Sequence, residues 1–481
     1  MRYDDEIVRA GPTPSPATSL TADLRTIGSA PLLGNPGIVA RWRTRGSTDP
    51  AWSSRAWVAG VVGVVVVGVV FRVVYVLVVL DDVPSGLDSI AYQLLGGSIR
   101  AGTGYVVPTS MFTGEYTPTA AFPPMYPAYQ ALWQSVFDAG PTSVRMAGMV
   151  PAAATITLTA ILGRRVVGPR VGLAAAAVVA VHPGLIAADG SAMSESLTVP
   201  LVLAAQLLAL CLADSGKGRL ALAVALGPVL GLAILTRQDL VLFGGILVVW
   251  LMVAMPGPWR AKATVGAIVV VGTALVVTPW VVRNAGAVDV VAVSTLSPAS
   301  ALAGANCPSS YHGPGLGSWD YACVAAARPS SMSEADAAER GLTERDLTDD
   351  YRSAAVTHVR ENLDRLPLVV AAREARAWSI WDPRDLARRD ADESRRYGFQ
   401  VRARPIEGAF AVAGAVGLVV LLRRRGLRAF VLVAPVLAVA VSVAASYGNP
   451  RFNVTAQPSL AIAVAALASA SLGWWRHRRS A

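Results

Sequence analysis

The stretch AWVAGVVGVVVVGVVFRVVYVLVVL, residues 56–80, carries one charge, Arg72, and no proline in 25 residues. A bilayer core of about 30 Å needs about 20 mostly apolar residues in one helix, so this run reads as a membrane span. Working outward, nine further runs are long enough, at roughly 144–163, 170–188, 196–214, 219–236, 240–255, 263–282, 405–422, 428–446 and 455–475. Composition agrees with them: 53% of the 481 residues are hydrophobic and 15% are charged, against about 25% charged in soluble domains. The fold class expected is an all-α polytopic membrane protein of about ten transmembrane helices. Disorder throughout, collagen, coiled coil and a disulfide-dense miniprotein are excluded by the same figures.

The net charge of +10 comes almost entirely from arginine, since lysine occurs only at Lys217 and Lys262. Nucleic acid does not explain it, because the excess lies between the apolar runs. Arg41/Arg43/Arg45, Arg164/Arg165/Arg170, Lys217/Arg219, Arg260/Lys262, Arg423/Arg424/Arg425 and Arg476/Arg478/Arg479 all fall on one side. The positive-inside rule makes that side cytoplasmic, with both termini inside. Residues 1–55 are polar and rich in Pro, Ser, Thr and Gly, and read as a disordered cytoplasmic tail. No apolar run follows the chain start as a signal peptide requires, so the first span is expected to stay uncleaved.

Met125 to Phe137 is apolar but short, and it follows Phe122-Pro123-Pro124. A crossing there would turn the Arg164/Arg165 loop outward and invert every later loop. It is therefore expected to lie in the outer interface, anchored by Tyr126, Tyr129 and Trp133. Four parts follow: the tail 1–55, an N-terminal transmembrane module 56–282 with a first outer loop 81–143, an extracytoplasmic region 283–404, and C-terminal spans with a short basic tail over 405–481. Arg72 and Tyr75 sit inside the first span. Arg72 either faces the bundle or snorkels outward, since an intramembrane arginine costs about 2.5–3.5 kcal/mol on insertion scales.

On this topology the unusual polar residues gather at the outer face, where ionisable groups at a membrane boundary mark a site. Asp88 lies in Leu87-Asp88-Ser89-Ile90-Ala91-Tyr92, and Asp189 and Glu195 flank the second outer turn. Two such acids supply a base and a cation-stabilising or metal-binding partner, while the plainer reading is that Asp88 and Glu195 cap helix N-termini. Arg237 and Arg283 each close an outward-running helix, and Arg451 joins them in Tyr447-Gly448-Asn449-Pro450-Arg451-Phe452. Helix-end complementation explains each arginine singly. Together, with Arg373 and Arg376, they suit an anionic lipid-linked substrate, because arginine binds phosphate through a planar fork.

These motifs, with Phe122-Pro123-Pro124-Met125-Tyr126-Pro127, Ser194-Glu195 and Pro279-Trp280-Val281-Val282-Arg283-Asn284, resemble those of bacterial GT-C glycosyltransferases. The resemblance covers about 56–475 and is closest to the branch holding protein O-mannosyltransferases and the lipid A aminoarabinose transferase. It implies a polyprenyl-phosphate-linked sugar donor and inverting transfer to an acceptor hydroxyl of a glycan, lipid or protein at the outer surface of the cytoplasmic membrane. Asp88 maps onto the family's base, with the second acid either Asp189 or Glu195. Arg237, Arg283 and Arg451 are the phosphate-binding candidates, and Tyr92, Asn284, Arg373, Arg376 and Asn449 the substrate-binding ones. A divalent cation, magnesium or manganese, is the one cofactor admitted. The extramembrane part is smaller than in many relatives, which leaves the acceptor open. A transporter or flippase of lipid-linked or anionic substrate is the alternative, but it calls for repeats and midplane polar groups, and neither is evident.

Cys307 and Cys323 bracket a Gly-rich loop and are expected to pair in an oxidising compartment, which is worth about 3 kcal/mol. Cys211 reads as a small core residue. His182, His312, His358 and His477 are scattered and read as structural or solvated. Leu347, Tyr351, Ala355, Val359 and Leu363 recur every four residues, so 343–366 is expected to be an amphipathic helix over the site, by packing rather than by touching substrate. Trp378 and Trp381 either stack on a sugar or anchor at the interface.

Overall fold

The valine- and alanine-rich runs form helices in the computed structural model, which describes residues 54–215, 218–327 and 343–480. The side chains of Met111 and of 472–480 are left aside. The tail expected at 1–55 lies outside the described residues except for its last two, as do Arg41, Arg43, Arg45 and Lys217. Among the described residues there is no strand, only one isolated bridge between Val106 and Pro118.

The first span is helix α1 (Ser54–Val74), continued by a single π-helical turn Tyr75–Val79. Then come α2 (Leu87–Arg100), α3 (Met125–Val136), α4 (Met149–Val166), α5 (Pro169–Val181), α6 (Pro183–Gly190), α7 (Glu195–Asp214), α8 (Arg219–Thr236), α9 (Leu240–Ala254) and α10 (Trp259–Ala287). The expected outer region contributes α11 (Leu296–Ala305), α12 (Glu344–Glu361), α13 (Leu366–Ala377) and α14 (Pro383–Ala391), and α15 (Tyr397–Arg425), α16 (Leu427–Ala445) and α17 (Gln457–Ser480) complete the chain. Among the described residues seven helices are long and apolar enough to cross a membrane. The bent pair α5–α6 adds an eighth, and α9 and the apolar part of α17 are shorter. Each of the ten expected runs therefore has a helix. The protein is a multi-pass membrane protein.

Small residues set the packing. Gly227 and Gly231 on α8 stand one turn apart, and a Cβ on Gly227 would lie 2.8 Å from the Val269 carbonyl and 2.9 Å from Gly272 Cα on α10. Without side chains there the backbones approach closely, which is how apolar helices associate where the hydrophobic effect gives no preference. α5 and α6 meet at 57°. The turn occurs at His182-Pro183, where proline removes a backbone donor and disfavours helical geometry in the residue before it.

Arg72 faces the bundle and is wholly buried. Its Nε donates to Asp189 Oδ2 at 2.7 Å, and its Nη1 to the carbonyls of Gly68 at 2.9 Å and Ala180 at 2.8 Å. The guanidinium is thus matched by a carboxylate, by a carbonyl of its own helix and by one at the end of α5 next to the bend.

α3 has 12 residues, about 18 Å at 1.5 Å per residue, too short to cross a core of about 30 Å. Tyr126 is not an interfacial anchor as expected. It is fully buried and packs edge-on against Tyr92 at 5.0 Å, while Tyr129 donates to the Ala147 carbonyl. In α12 the buried stripe is Leu347, Thr348, Tyr351 and Ala355, and it fades at Leu363, which is 59% exposed and lies beyond the helix end.

Candidate functional site

Several chain segments meet at one cavity of about 530 Å³, and four of them supply the charged residues expected from sequence. The first is the start of α2. Gly86 N donates to Ser394 Oγ at 2.6 Å, and a Cβ there would sit 3.0 Å from Glu393 Cα and overlap the Asp392 carbonyl. Only glycine lets this strand of chain lie so close, and it sets Asp88, two residues on, beside the 392–394 segment. The second is the first turn of α7, with Glu195. The third is the end of α8, where Arg237 leaves the helix in an extended conformation. The fourth is a 3-10 turn, Pro450–Thr455, in which Asn449 Oδ1 accepts from the Arg451 backbone N at 2.9 Å and fixes the arginine's start.

The side chains form one charged cluster. Glu195 Oε1 accepts from Arg237 Nη1 at 2.7 Å and from Arg451 Nε at 2.6 Å. Arg451 Nη1 donates to Asp88 Oδ2 at 2.9 Å and lies 3.6 Å from Glu393 Oε1. Asn449 Nδ2 donates to Glu393 Oε1 at 2.7 Å. Arg237 is also held by Asp239, at 3.2 Å and 3.4 Å through its two nitrogens. Glu195 is 1% exposed and its Oε2 is buried without a partner, whereas the Asp88 side chain is 40% exposed. Asp88 and Glu195 are in the first turns of their helices, yet neither caps an N-cap position with its side chain. Burial alone would lower the pKa of Arg451, but Glu195, Glu393 and Asp88 outweigh it and hold the guanidinium protonated. Burial raises the Glu393 carboxyl above its ordinary range, a rise that Arg451 and Arg395 only partly offset. The Tyr92 and Tyr447 phenols, which line the same cavity, are likewise raised by burial.

Five expected site residues stand at the cavity: Asp88, Tyr92, Arg237, Asn449 and Arg451. Glu195 lies directly behind it on the two arginines. The others are elsewhere. Asp189 is committed to Arg72 inside the bundle, because the bend at Pro183 turns α6 toward α1. Arg283 donates to the Thr119 and Tyr105 carbonyls and stacks near Trp280 at 5.0 Å, bracing the first loop. Asn284 is fully buried and donates to the Ala292 carbonyl at 2.8 Å. Arg373 donates through its two terminal nitrogens to the carbonyls of Ala444 and Ala305, and Arg376 donates to those of Leu316 and Pro314 and to Asp385 at 2.5 Å. Both hold α13 in place. Trp381 lies under Arg376 at 4.6 Å and Trp378 donates to Glu374 at 2.9 Å, so neither faces the cavity.

Several lining residues were not singled out from sequence, notably Glu393, Arg389, Trp319 and Tyr447. The run Asp390-Ala391-Asp392-Glu393-Ser394-Arg395-Arg396 is dense in charge, which was the one available signal. Behind it, Asp390 is clamped by Arg404 at 2.5 Å and by Arg395 at 3.2 Å, all nearly fully buried, and this anchors the segment that presents Glu393. Trp319 is fixed by donating to the Ser300 carbonyl at 3.0 Å and by the adjoining Cys307–Cys323 disulfide. Among the described residues no three His, Cys, Asp or Glu side chains are grouped to hold a metal ion, and the cavity acids face guanidinium groups. The cavity acids, each beside a guanidinium, do not form a ligand set for the divalent cation expected from sequence.

The arrangement offers two cationic forks beside a half-exposed carboxylate. It is equipped to hold an oxyanion and to accept a proton close by.

Residues 121–282, about a third of the chain, match the model of the dolichyl-phosphate-mannose-protein mannosyltransferase family. No curated protein matches. Among solved structures, the oligosaccharyltransferase of Archaeoglobus fulgidus in complex with zinc and sulfate shares 14% identity at a TM-score of 0.51, over 86% of this chain and 50% of that one. Its apo form gives 14% and 0.51, over 87% and 52%. ArnT from Cupriavidus metallidurans bound to undecaprenyl phosphate gives 16% and 0.40, over 84% and 78%. At these identities the likeness to the oligosaccharyltransferase concerns the fold, and the chain spans about half that protein's length. The family match is confined to residues 121–282, and the likeness over the rest of the chain is one of fold.

Proposed function

We propose that the chain is a glycosyltransferase of the GT-C superfamily, an inverting enzyme that moves a sugar from a polyprenyl-phosphate donor to an acceptor hydroxyl on the outer face of the cytoplasmic membrane. The observation that carries this reading is the convergence of Arg237 and Arg451 on Glu195, next to Asp88 on the same cavity. Leu242 of α9, 38% exposed, borders that cavity, which suits a donor whose tail remains in lipid.

The acceptor oxygen attacks the anomeric carbon from the face opposite the phosphate. Its proton passes to Asp88, the bond from that carbon to the phosphate oxygen breaks, and the electron pair leaves with the phosphate. Arg237 and Arg451 stabilise the second charge that develops there, which is where a preorganised site lowers the barrier. Glu195, unable to reach solvent, keeps both forks aimed. Asn449 holds the backbone of the Arg451 turn.

The test is to incubate the purified full-length protein with a panel of polyprenyl-phosphate sugars and to measure release of polyprenyl phosphate. Release with at least one sugar, lost in Asp88→Asn by about 10²–10⁴-fold as expected for removal of a general base, supports the reading. No release across the panel, or normal turnover by Asp88→Asn, counts against the reaction or the base respectively.

A further inference from the structure

Three carboxylates share Arg451, and they do so unequally. Glu195 holds Nε at 2.6 Å and is 1% exposed, with a second guanidinium, Arg237, on the same oxygen. Glu393 stands off at 3.6 Å and spends its oxygen on Asn449. Asp88 holds Nη1 at 2.9 Å, yet its side chain is 40% exposed. Displacing Glu195 would strand a buried charge, which costs several kcal/mol. Displacing Asp88 returns an already half-exposed carboxylate to water, so less is lost than in stranding Glu195. An anion that enters the cavity therefore has one position on Arg451 it can take cheaply. That position belongs to the residue with the base role.

We propose that a prenyl phosphate competes with Asp88 for Nη1 of Arg451, so that binding of the donor's phosphate uncovers the carboxylate that accepts the acceptor's proton. The inference rests on the reading of the cavity as a donor-phosphate site. Its consequence is order: Oδ2 of Asp88 is held by a guanidinium until an anion replaces it, and an acceptor that arrives first meets a base with that oxygen occupied and its charge partly neutralised. The backbone of Arg451 stays fixed by Asn449, so only the end of the side chain re-partners.

The gate is read in binding, apart from turnover. Farnesyl phosphate is titrated calorimetrically into the full-length protein in detergent. Asp88→Asn removes the competing charge and is expected to tighten binding about two- to fivefold, within the range that a partly exposed ion pair can supply. Asp88→Ser serves as a second variant should the amide disturb folding. The same substitution made on an Arg451→Gln background is expected to give no gain, because the competition runs through that one guanidinium. Unchanged or weaker binding in both Asp88 variants overturns the gate. Equal tightening with and without Arg451 also overturns it, leaving only the loss of a negative charge from the cavity. Tightening that depends on Arg451, accompanied by normal transfer, keeps the gate and removes Asp88 from the base role; loss of transfer without tightening does the reverse.

Discussion

Arg237 and Arg283 look alike in the sequence, each closing an apolar helix, and their surroundings separate them. Arg237 meets the carboxylates of Glu195 and Asp239, whereas Arg283 spends its donors on the carbonyls of Thr119 and Tyr105. Arg237→Gln and Arg451→Gln are accordingly expected to weaken binding of a polyprenyl-phosphate donor about 10- to 100-fold, since each loses a charge-assisted bond of about 1.5–3 kcal/mol. Lysine restores only part of it, lacking the fork. Arg283→Gln should leave donor KM unchanged and lower the thermal midpoint instead, and a donor-binding defect in that variant would return Arg283 to the site. Glu393 yields a prediction in pH. With its pKa raised, the native protein keeps this proton where the unfolded chain, near about 4.3, has lost it, so the group's contribution to stability falls as pH rises through the raised value. Glu393→Gln should flatten that part of the stability profile relative to the parent, as read from melting curves between about pH 4 and 8. The same residues mark where sequence reading stopped. Asp189 and Glu195 are six positions apart, and only the direction of α6, fixed by long-range packing, sends one to Arg72 and the other to Arg451.

At the level of elements, periodicity carried most of the information. Each apolar run has its helix, because length and hydropathy are local properties. The stripe of α12 was readable to Ala355, and its role follows from Glu344, whose carboxylate accepts from Thr119 Oγ1 at 2.8 Å and from Ala120 N at 3.0 Å. That helix backs the cavity wall formed by α11 and does not enter it. The pairing of Cys307 with Cys323 is present with 16 residues of separation. Cys323→Ser is expected to cost about 3 kcal/mol by the loop-closure argument, seen as a lower thermal midpoint that reductant no longer changes. Because Trp319 lies inside that loop and lines the cavity, acceptor KM should rise more than donor KM. Equal changes in both would assign the disulfide to stability alone. The bend at His182 and the glycine seam between α8 and α10 were written in the sequence as single residues, but their meaning depended on which helix came alongside.

For the molecule as a whole, the sidedness of the bundle is the expectation most worth testing. The charge pattern puts the Arg164/Arg165 loop in the cytoplasm and the start of α2 outside. In a Cys211→Ser background, a cysteine at Val167 should react with an impermeant maleimide only after the membrane is opened, and one at Phe112, 78% exposed, should react from outside. Reversal of the two would invert the proposed site. The bond between Arg72 and Asp189 also has a consequence in time. The two residues are 117 positions apart, so at synthesis rates of about 5–20 residues per second the carboxylate is made about 6–23 s after the arginine. Through that interval α1 carries an unmatched guanidinium costing about 2.5–3.5 kcal/mol on insertion scales. The first span is thus not finished when it is made: α1 enters the bilayer as a provisional segment, and its place in the bundle is sealed only when α6 leaves the ribosome.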